Sequence, residues 1–294
     1  MKLLSGSSNF PLAQNIANTM QLVMLERSIT RFSNGEIRVH ITDPIQNEDV
    51  ILVQSHSEPT DSMIIETLLL IDALERGGAA SITLIIPWLG YSLQDKVFRD
   101  GEPIASKVVA KLLTSPLMKR VHLLDLHNAS IQGFFSVPTT LLYARSIFAE
   151  YAQKNIDMTK AVVASPDFGG VKKAAKFAEE LGLEMVTMGK KRDLDTGVIT
   201  MTHLEGDPKN KIVILFDDVI MSGGTASEAA DQLKKQGAAE VYFFATHGAF
   251  VGDALEKLQK SAIDHLVITN SIYHETLPTQ VTVLDCSSVF CEKM

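Results

Sequence analysis

Short runs of consecutive apolar residues alternate along the chain with longer stretches whose apolar positions recur every three or four residues. The short runs read as strands at Lys2–Ser5, Val50–Gln54, Ser81–Pro87, Val121–Leu126, Ala161–Ala164, Leu183–Met188, Lys211–Phe216, Val241–Thr246 and His265–Thr269. The periodic stretches read as helices at Pro11–Met20, Met63–Arg76, Ile104–Leu113, Leu141–Tyr151, Val171–Leu181, Thr225–Gln236 and Ala254–Lys260. A strand that is apolar without alternation must be covered on both faces. The pattern therefore predicts an α/β fold of mainly parallel sheets flanked by helices. It restarts near Ala144–Asp157 without a Pro/Gly/Ser linker, giving two α/β halves of similar length and no residue-level repeat.

Composition narrows this picture. Of 294 residues, 46% are hydrophobic and 21% charged, enough apolar surface to offset chain entropy and exclude disorder. The net charge of -8 argues against general nucleic-acid binding, which needs Lys and Arg on phosphates, but leaves a local anion pocket open. The stretches Met63–Leu70 and Ile82–Leu89 carry polar breaks and are too short to cross a membrane. The N-terminal apolar pair is too short for a signal-peptide core. Cys286 and Cys291 are too few for a structural zinc site and read as reduced thiols. A cytoplasmic protein with neither membrane nor nucleic-acid partners is expected.

Strand-to-helix turns are where open α/β sheets bind ligands, and several here carry unusual residues. In Lys211–Thr225, apolar residues run into Asp217 and Asp218, then Met221, Ser222, Gly223, Gly224 and Thr225 ahead of a helix. Glycine amides, hydroxyls and a helix start suit a sugar phosphate, with the carboxylates reaching ribose hydroxyls or a hydrated metal. A capped helix start is the plainer reading. In Ser165–Gly170, Asp167 can hold Mg²⁺ while Gly169 and Gly170, beside Phe168, present amides to a diphosphate; a simple turn would look similar. In Leu123–Phe135, Asp125 and His127 are two apart at a strand end: His127 can ligate a metal or hydrogen-bond a phosphate, with Asp125 orienting the imidazole or metal waters, and a structural histidine is the plainer reading. Arg31–Ile41 holds a tight turn at Ser33, Asn34 and Gly35, whose Phe32 could stack on a purine with Asn34 and Glu36 on its polar edge. Pro87–Leu113 is a long polar loop followed by a helix started near Pro103. In Met188–Gly197, Lys190, Lys191 and Arg192 form either a solvated charge run or a mobile loop that closes on a polyphosphate.

In order and spacing these six segments resemble the ribose-phosphate pyrophosphokinase family over nearly the whole chain, from Phe32 to Ile272. The resemblance implies two tandem phosphoribosyltransferase-like domains, at 1–145 and 146–294. The last ~15–20 residues would return to the N-terminal domain. It implies transfer of the β,γ-diphosphoryl group of MgATP to the C1 hydroxyl of ribose 5-phosphate, giving 5-phosphoribosyl 1-diphosphate and AMP. By that similarity Phe32, Asn34, Gly35, Glu36, Leu93, Gln94 and His127 belong to the ATP site, the adenine pocket being completed by a neighbouring subunit of a homodimer or homohexamer. His127 and Asp167 match Mg²⁺ positions. Asp167, Phe168, Gly169 and Gly170 match the diphosphate loop, and Asp217, Asp218 and Met221–Thr225 the ribose 5-phosphate loop. Lys190 and Arg192 match the catalytic basic pair. Three places depart from the family: Leu93 stands where it carries an arginine, Met221-Ser222-Gly223-Gly224-Thr225 where its phosphate loop commonly reads Asp-Thr-x-Gly-Thr, and Asn270-Ser271 where it carries Asp-Thr. A type I phosphoribosyltransferase and a non-catalytic homologue are the competing readings.

Overall fold

The computed structural model describes residues 1–167, 169–192 and 199–294, with the backbone alone between 188 and 205. The chain forms two compact units. One comprises Met1–Tyr143 with Asn270–His274 and Asp285–Met294; the other comprises Ala144–Thr269 with Glu275–Leu284.

The first unit runs β1 (Lys2–Ser5), α1 (Phe10–Met20), β2 (Val23–Met24), β3 (Arg27–Arg31), β4 (Ile37–Ile41), β5 (Asp49–Val53), α2 (Thr60–Arg76), β6 (Ser81–Ile86), α3 (Ala105–Leu112), β7 (Met118–Leu124) and β8 (Thr139–Leu142). Six strands pair in parallel in the order β2-β1-β5-β6-β7-β8. Strands β3 and β4 form a separate antiparallel hairpin. Helix α1 starts where Asn9 Oδ1 accepts the Leu12 N–H and Pro11 occupies the first turn. Helix α2 turns Ile64, Leu70, Ile71 and Leu74 onto Leu52, Leu84 and Val121 of the sheet. Those apolar strands are buried as their sequence requires.

The second unit runs α4 (Arg145–Asn155), β9 (Ala161–Ala164), α5 (Val171–Leu181), β10 (Met185–Arg192), β11 (Ile199–Glu205), β12 (Ile212–Ile220), α6 (Gly224–Lys235), β13 (Glu240–Gly248), α7 (Ala254–Lys260), β14 (His265–Thr269) and β15 (Val281–Leu284). The sheet order is β11-β10-β9-β12-β13-β14-β15, parallel except for the β10–β11 pair. Four buried phenylalanines weld its helices to the sheet. Phe177 of α5 stacks on Phe216 of β12 at 4.3 Å, and Phe148 of α4 stacks on Phe244 of β13 at 5.4 Å. Helix α8 (Ser287–Cys291) belongs to the first unit and packs on α1. There Cys286 is buried, and both cysteines are free thiols.

Strand β9 lies beside β12, although some fifty residues and two strands separate them in sequence. Chain order reverses across that pair, so the turns leaving β9 and β12 open side by side. This is the switch point at which such sheets accept ligands.

Three elements differ from the sequence pattern. The helix expected at Leu141–Tyr151 begins at Arg145, because Thr139–Leu142 pair with β7 as a strand; paired β-branched residues favour the pleat over the helix. The strand expected to end at Phe216 continues to Ile220, held by parallel pairing with β13 through Gly248. The basic run Lys190–Arg192, expected in a loop, continues β10 in antiparallel register with β11. Among the described residues no helix is long and apolar enough to cross a membrane.

Truncation of a fully buried ring removes both transfer energy and packing. Phe244→Ala should lower the stability of the second unit by about 3–5 kcal/mol, read as a fall in its urea midpoint.

Candidate active site

At the switch point, the turn after β9 folds on its own side chains. Ser165 Oγ donates to the Asp167 carbonyl at 2.6 Å, and Asp167 Oδ1 accepts the Gly170 N–H at 2.9 Å. Helix α5 therefore starts at Gly170 under a carboxylate. A Cβ on Gly170 would stand 2.7 Å from Ser165 Oγ, 3.5 Å from Asp217 Oδ1 and 3.6 Å from Asp167 Oδ1. A larger residue would displace the Ser165 hydroxyl, and glycine lets the carboxylates of Asp167 and Asp217 approach one small space.

On β12, Asp217 and Asp218 behave differently. Asp218 is 4% exposed, and Lys173 of α5 reaches it at 2.9 Å. The pair is stacked beneath the turn, so the ammonium offsets a charge that burial would otherwise penalise. Asp217 Oδ1 accepts the Asp218 N–H at 2.8 Å. Burial first, then hydrogen bonding to and repulsion from Asp218, and lastly repulsion from Asp167, hold the Asp217 carboxyl well above the ordinary carboxylate range.

Beyond β12, Gly223 adopts φ +75°, the left-handed conformation that favours glycine. A Cβ there would also press on Leu258 at 3.0 Å and on the Ala254 carbonyl at 3.3 Å. No side chain caps α6, whose first turn begins at Gly224 and Thr225. Its leading amides therefore face outward with the helix dipole behind them, a ready anion seat. Ser222 is exposed and Met221 half-buried on the same turn.

Expected residues in the first unit group on other turns. Hairpin β3–β4 closes through Phe32 N–H to the Glu36 carbonyl and Gly35 N–H to the Phe32 carbonyl, both 2.9 Å. Asn34 Oδ1 accepts the Glu36 N–H at 3.2 Å. The Phe32 ring is 51% exposed, with the Arg38 guanidinium 5.8 Å from its centroid. An aromatic held out on a rigid hairpin can stack on a planar base. Leu93 and exposed Gln94 lie on the loop after β6, and exposed His127 on the turn after β7. Asn128 Nδ2 donates to Asp95 Oδ2 at 2.6 Å, so the loop of Gln94 and the turn of His127 are tied together. Asp125, at the start of that turn, has φ +37°, a strained value for a non-glycine residue. Phe168 lies outside the described residues, as do the side chains of Lys190 and Arg192.

Two family models match the chain: the N-terminal domain of ribose phosphate pyrophosphokinase over residues 1–116, and the phosphoribosyl synthetase-associated domain over residues 199–294. A ribose-phosphate pyrophosphokinase of Thermotoga maritima is 39% identical, covering 99% of this chain and 93% of that one. The chain belongs to the ribose-phosphate pyrophosphokinase family. A second relative, from Wolinella succinogenes, is 38% identical with 99% and 94% covered. A solved phosphoribosylpyrophosphate synthetase from Mycobacterium smegmatis is 32% identical, with a TM-score of 0.91 over 99% of this chain and 96% of that one. The chain is thus an enzyme of this family with the α/β fold its sequence implies.

Sequence motifs alone do not show the partners that hold these residues. Lys173 was visible only as one of two lysines after a glycine pair, and its register on α5, one turn in, was the signal that it faces β12. Asp95 and Asn128 carried no sequence signal, because their pairing spans 33 residues.

The raised carboxyl of Asp217 carries a testable sign. Its folded pKa stands above its unfolded one, so its charge costs stability as pH rises past the unfolded value. Asp217→Asn should raise the melting temperature at neutral pH, and the gain should shrink as the pH falls toward about 4. A melting temperature that drops at neutral pH would contradict this.

Proposed function

We propose that the chain transfers the β,γ-diphosphoryl group of MgATP to the C1 hydroxyl of ribose 5-phosphate, forming 5-phosphoribosyl 1-diphosphate and AMP. The observation that carries this is the switch point of the second unit. Its paired turns supply a carboxylate cluster on one side and an uncapped helix start on the other. A sugar phosphate needs both, one for its hydroxyls and one for its phosphate.

In this reading the amides of Gly223, Gly224 and Thr225 and the Ser222 hydroxyl seat the 5-phosphate. Asp217 accepts from the ribose hydroxyls, and Asp218 acts from beneath by fixing Lys173 and the β12 backbone. Asp167, Gly169 and Gly170 face the diphosphate. Phe32, Asn34, Gly35 and Glu36 hold the adenine, with Leu93, Gln94 and His127 on the nucleotide side. The exposure of Phe32 suits an adenine site shared between subunits of a homodimer or homohexamer.

Magnesium fits the residues present. Among the described residues no three His, Cys, Asp or Glu side chains are grouped to hold a metal by themselves. Magnesium is commonly held by one or two carboxylates together with substrate phosphates. The space that a Gly170 Cβ would fill, between Asp167 and Asp217, offers that kind of oxygen-rich donor set. Asp167 would hold the ion, with His127 the second expected position. The ion would supply charge neutralisation of the phosphate oxygens.

The protein's own task is positioning and electrostatics, since phosphoryl transfer asks for little covalent chemistry. Lys190 and Arg192 would neutralise the transferring group and departing AMP. The site works inside a chain of net charge -8 because its cations are consecutive at the end of β10 and its amides gather on the turn into α6.

Purified protein incubated with ribose 5-phosphate and MgATP should release AMP and phosphoribosyl diphosphate in equal amounts. Absence of AMP, with and without inorganic phosphate, would refute the assignment, and diphosphate release dependent on a free base would favour a phosphoribosyltransferase. Lys190→Ala and Arg192→Ala should each lower kcat by about 10²–10³ while leaving ribose 5-phosphate binding nearly unchanged.

A further inference from the structure

The loop that follows β6 is held from behind by a histidine that none of the six motifs contains. His56 follows β5 and is fully buried. The β5–β6 ladder continues past both strand ends: Gln54 N–H donates to the Ile85 carbonyl at 3.0 Å, and His56 N–H to the Trp88 carbonyl at 2.8 Å. The imidazole adds a second grip. Its Nδ1 accepts the Gly90 N–H at 3.4 Å. On the other side, Nε2 meets Thr67 Oγ1 of α2 at 3.2 Å.

The tautomer follows from Thr67. The threonine hydroxyl donates to the Met63 carbonyl at 2.7 Å, so toward His56 it can only accept. Nε2 therefore carries the proton and Nδ1 is bare, which is what a bond from Gly90 N–H requires. Desolvation keeps the ring neutral, lowering its pKa to about 3.

Packing leaves the loop little freedom at this point. A Cβ on Gly90 would lie 2.6 Å from Thr60 Cγ2 and 3.0 Å from His56 Cβ, so the backbone rests directly on His56 and the start of α2. The next residue, Tyr91, has φ +63°, and its hydroxyl donates to Asp61 Oδ1 at 2.6 Å. Gln94 N–H then donates to the Tyr91 carbonyl, and the Gln94 carbonyl accepts from the Ser106 N–H and hydroxyl. The loop is thus pinned at its far end by α3 and at its near end by His56.

We infer that His56 is a positioning residue for the nucleotide, acting through Gly90 to fix the loop Trp88–Gln94. The inference rests on the proposed nucleotide role of that loop. It assigns work to a residue that touches no substrate.

Three variants test it: His56→Leu, which removes both ring bonds; His56→Asn, whose Oδ1 takes the place of Nδ1 as acceptor; and Thr67→Val, which removes the group that selects the tautomer. Of the two bonds only that from Gly90 reaches the loop, and losing one neutral hydrogen bond corresponds to about fivefold, so His56→Leu should raise KM for MgATP by about that factor and leave KM for ribose 5-phosphate unchanged. His56→Asn should restore most of the loss, with Thr67→Val in between. Hydrogen exchange, read on the free protein, should quicken at residues 88–94 in His56→Leu but not in His56→Asn. Nitrogen NMR should show Nδ1 of His56 unprotonated between about pH 5 and pH 8 in the wild type. An Nδ1–H tautomer, unchanged exchange, or equal rises in both KM values would overturn the inference. Failure of the wild type to form AMP would instead refute the proposed function, while the exchange and NMR arms would still decide whether His56 braces the loop.

Discussion

One charge pair, half-buried Lys173 with buried Asp218, ties together the two elements that frame the crevice of the second unit. Three carboxylates, Asp167, Asp217 and Asp218, gather at the ends of two adjacent strands, and like charges so placed resist assembly. Lys173 offsets part of that charge by pairing with Asp218 from the first turn of α5. Burial first, then Asp218 and lastly Asp167 push the Asp217 carboxyl upward. Phe177 and Phe216, stacked between α5 and β12, hold those same two elements together below the charges.

Much of this was legible in the sequence because it depends on local pattern. Ala161–Ala164 and the apolar run ending at Phe216 announce buried parallel strands, and the glycine turns after them announce where a backbone must approach something closely. The hairpin around Asn34 and Gly35 is equally local, and its bonds close as a tight turn demands. The order of the sheet was not written in any one segment. It arises from which strands exchange neighbours, and that brings the turns at Asp167 and Asp217 together across fifty residues.

Where the reading failed, long-range pairing overruled local preference. Leu141 and Leu142 carry helical spacing with the residues after them, yet β7 offers an open edge and recruits them into β8. The cations Lys190–Arg192 look like a solvated loop by charge, but β11 supplies a partner strand. Strand β15 and helix α8 are too short for periodicity to reveal. His56 escaped for another reason. A single buried histidine has no pattern, and its meaning lies in Thr67 and Gly90, 11 and 34 residues away.

The first unit has a switch point of its own, between β1 and β5, and its fate is instructive. There the turn after β1 is closed over by side chains: Gly6 lies against Gln54, Ser7 gives its N–H and hydroxyl to the buried carboxylate of Glu66, and Ser8 gives both of its donors to Gln54 Oε1. The amides and hydroxyls of Ser7 and Ser8 are thus spent on the chain itself. The two halves thus share an architecture but divide its use. One leaves the leading amides of its helix uncapped at the crevice, and the other has turned the same crevice into a keystone.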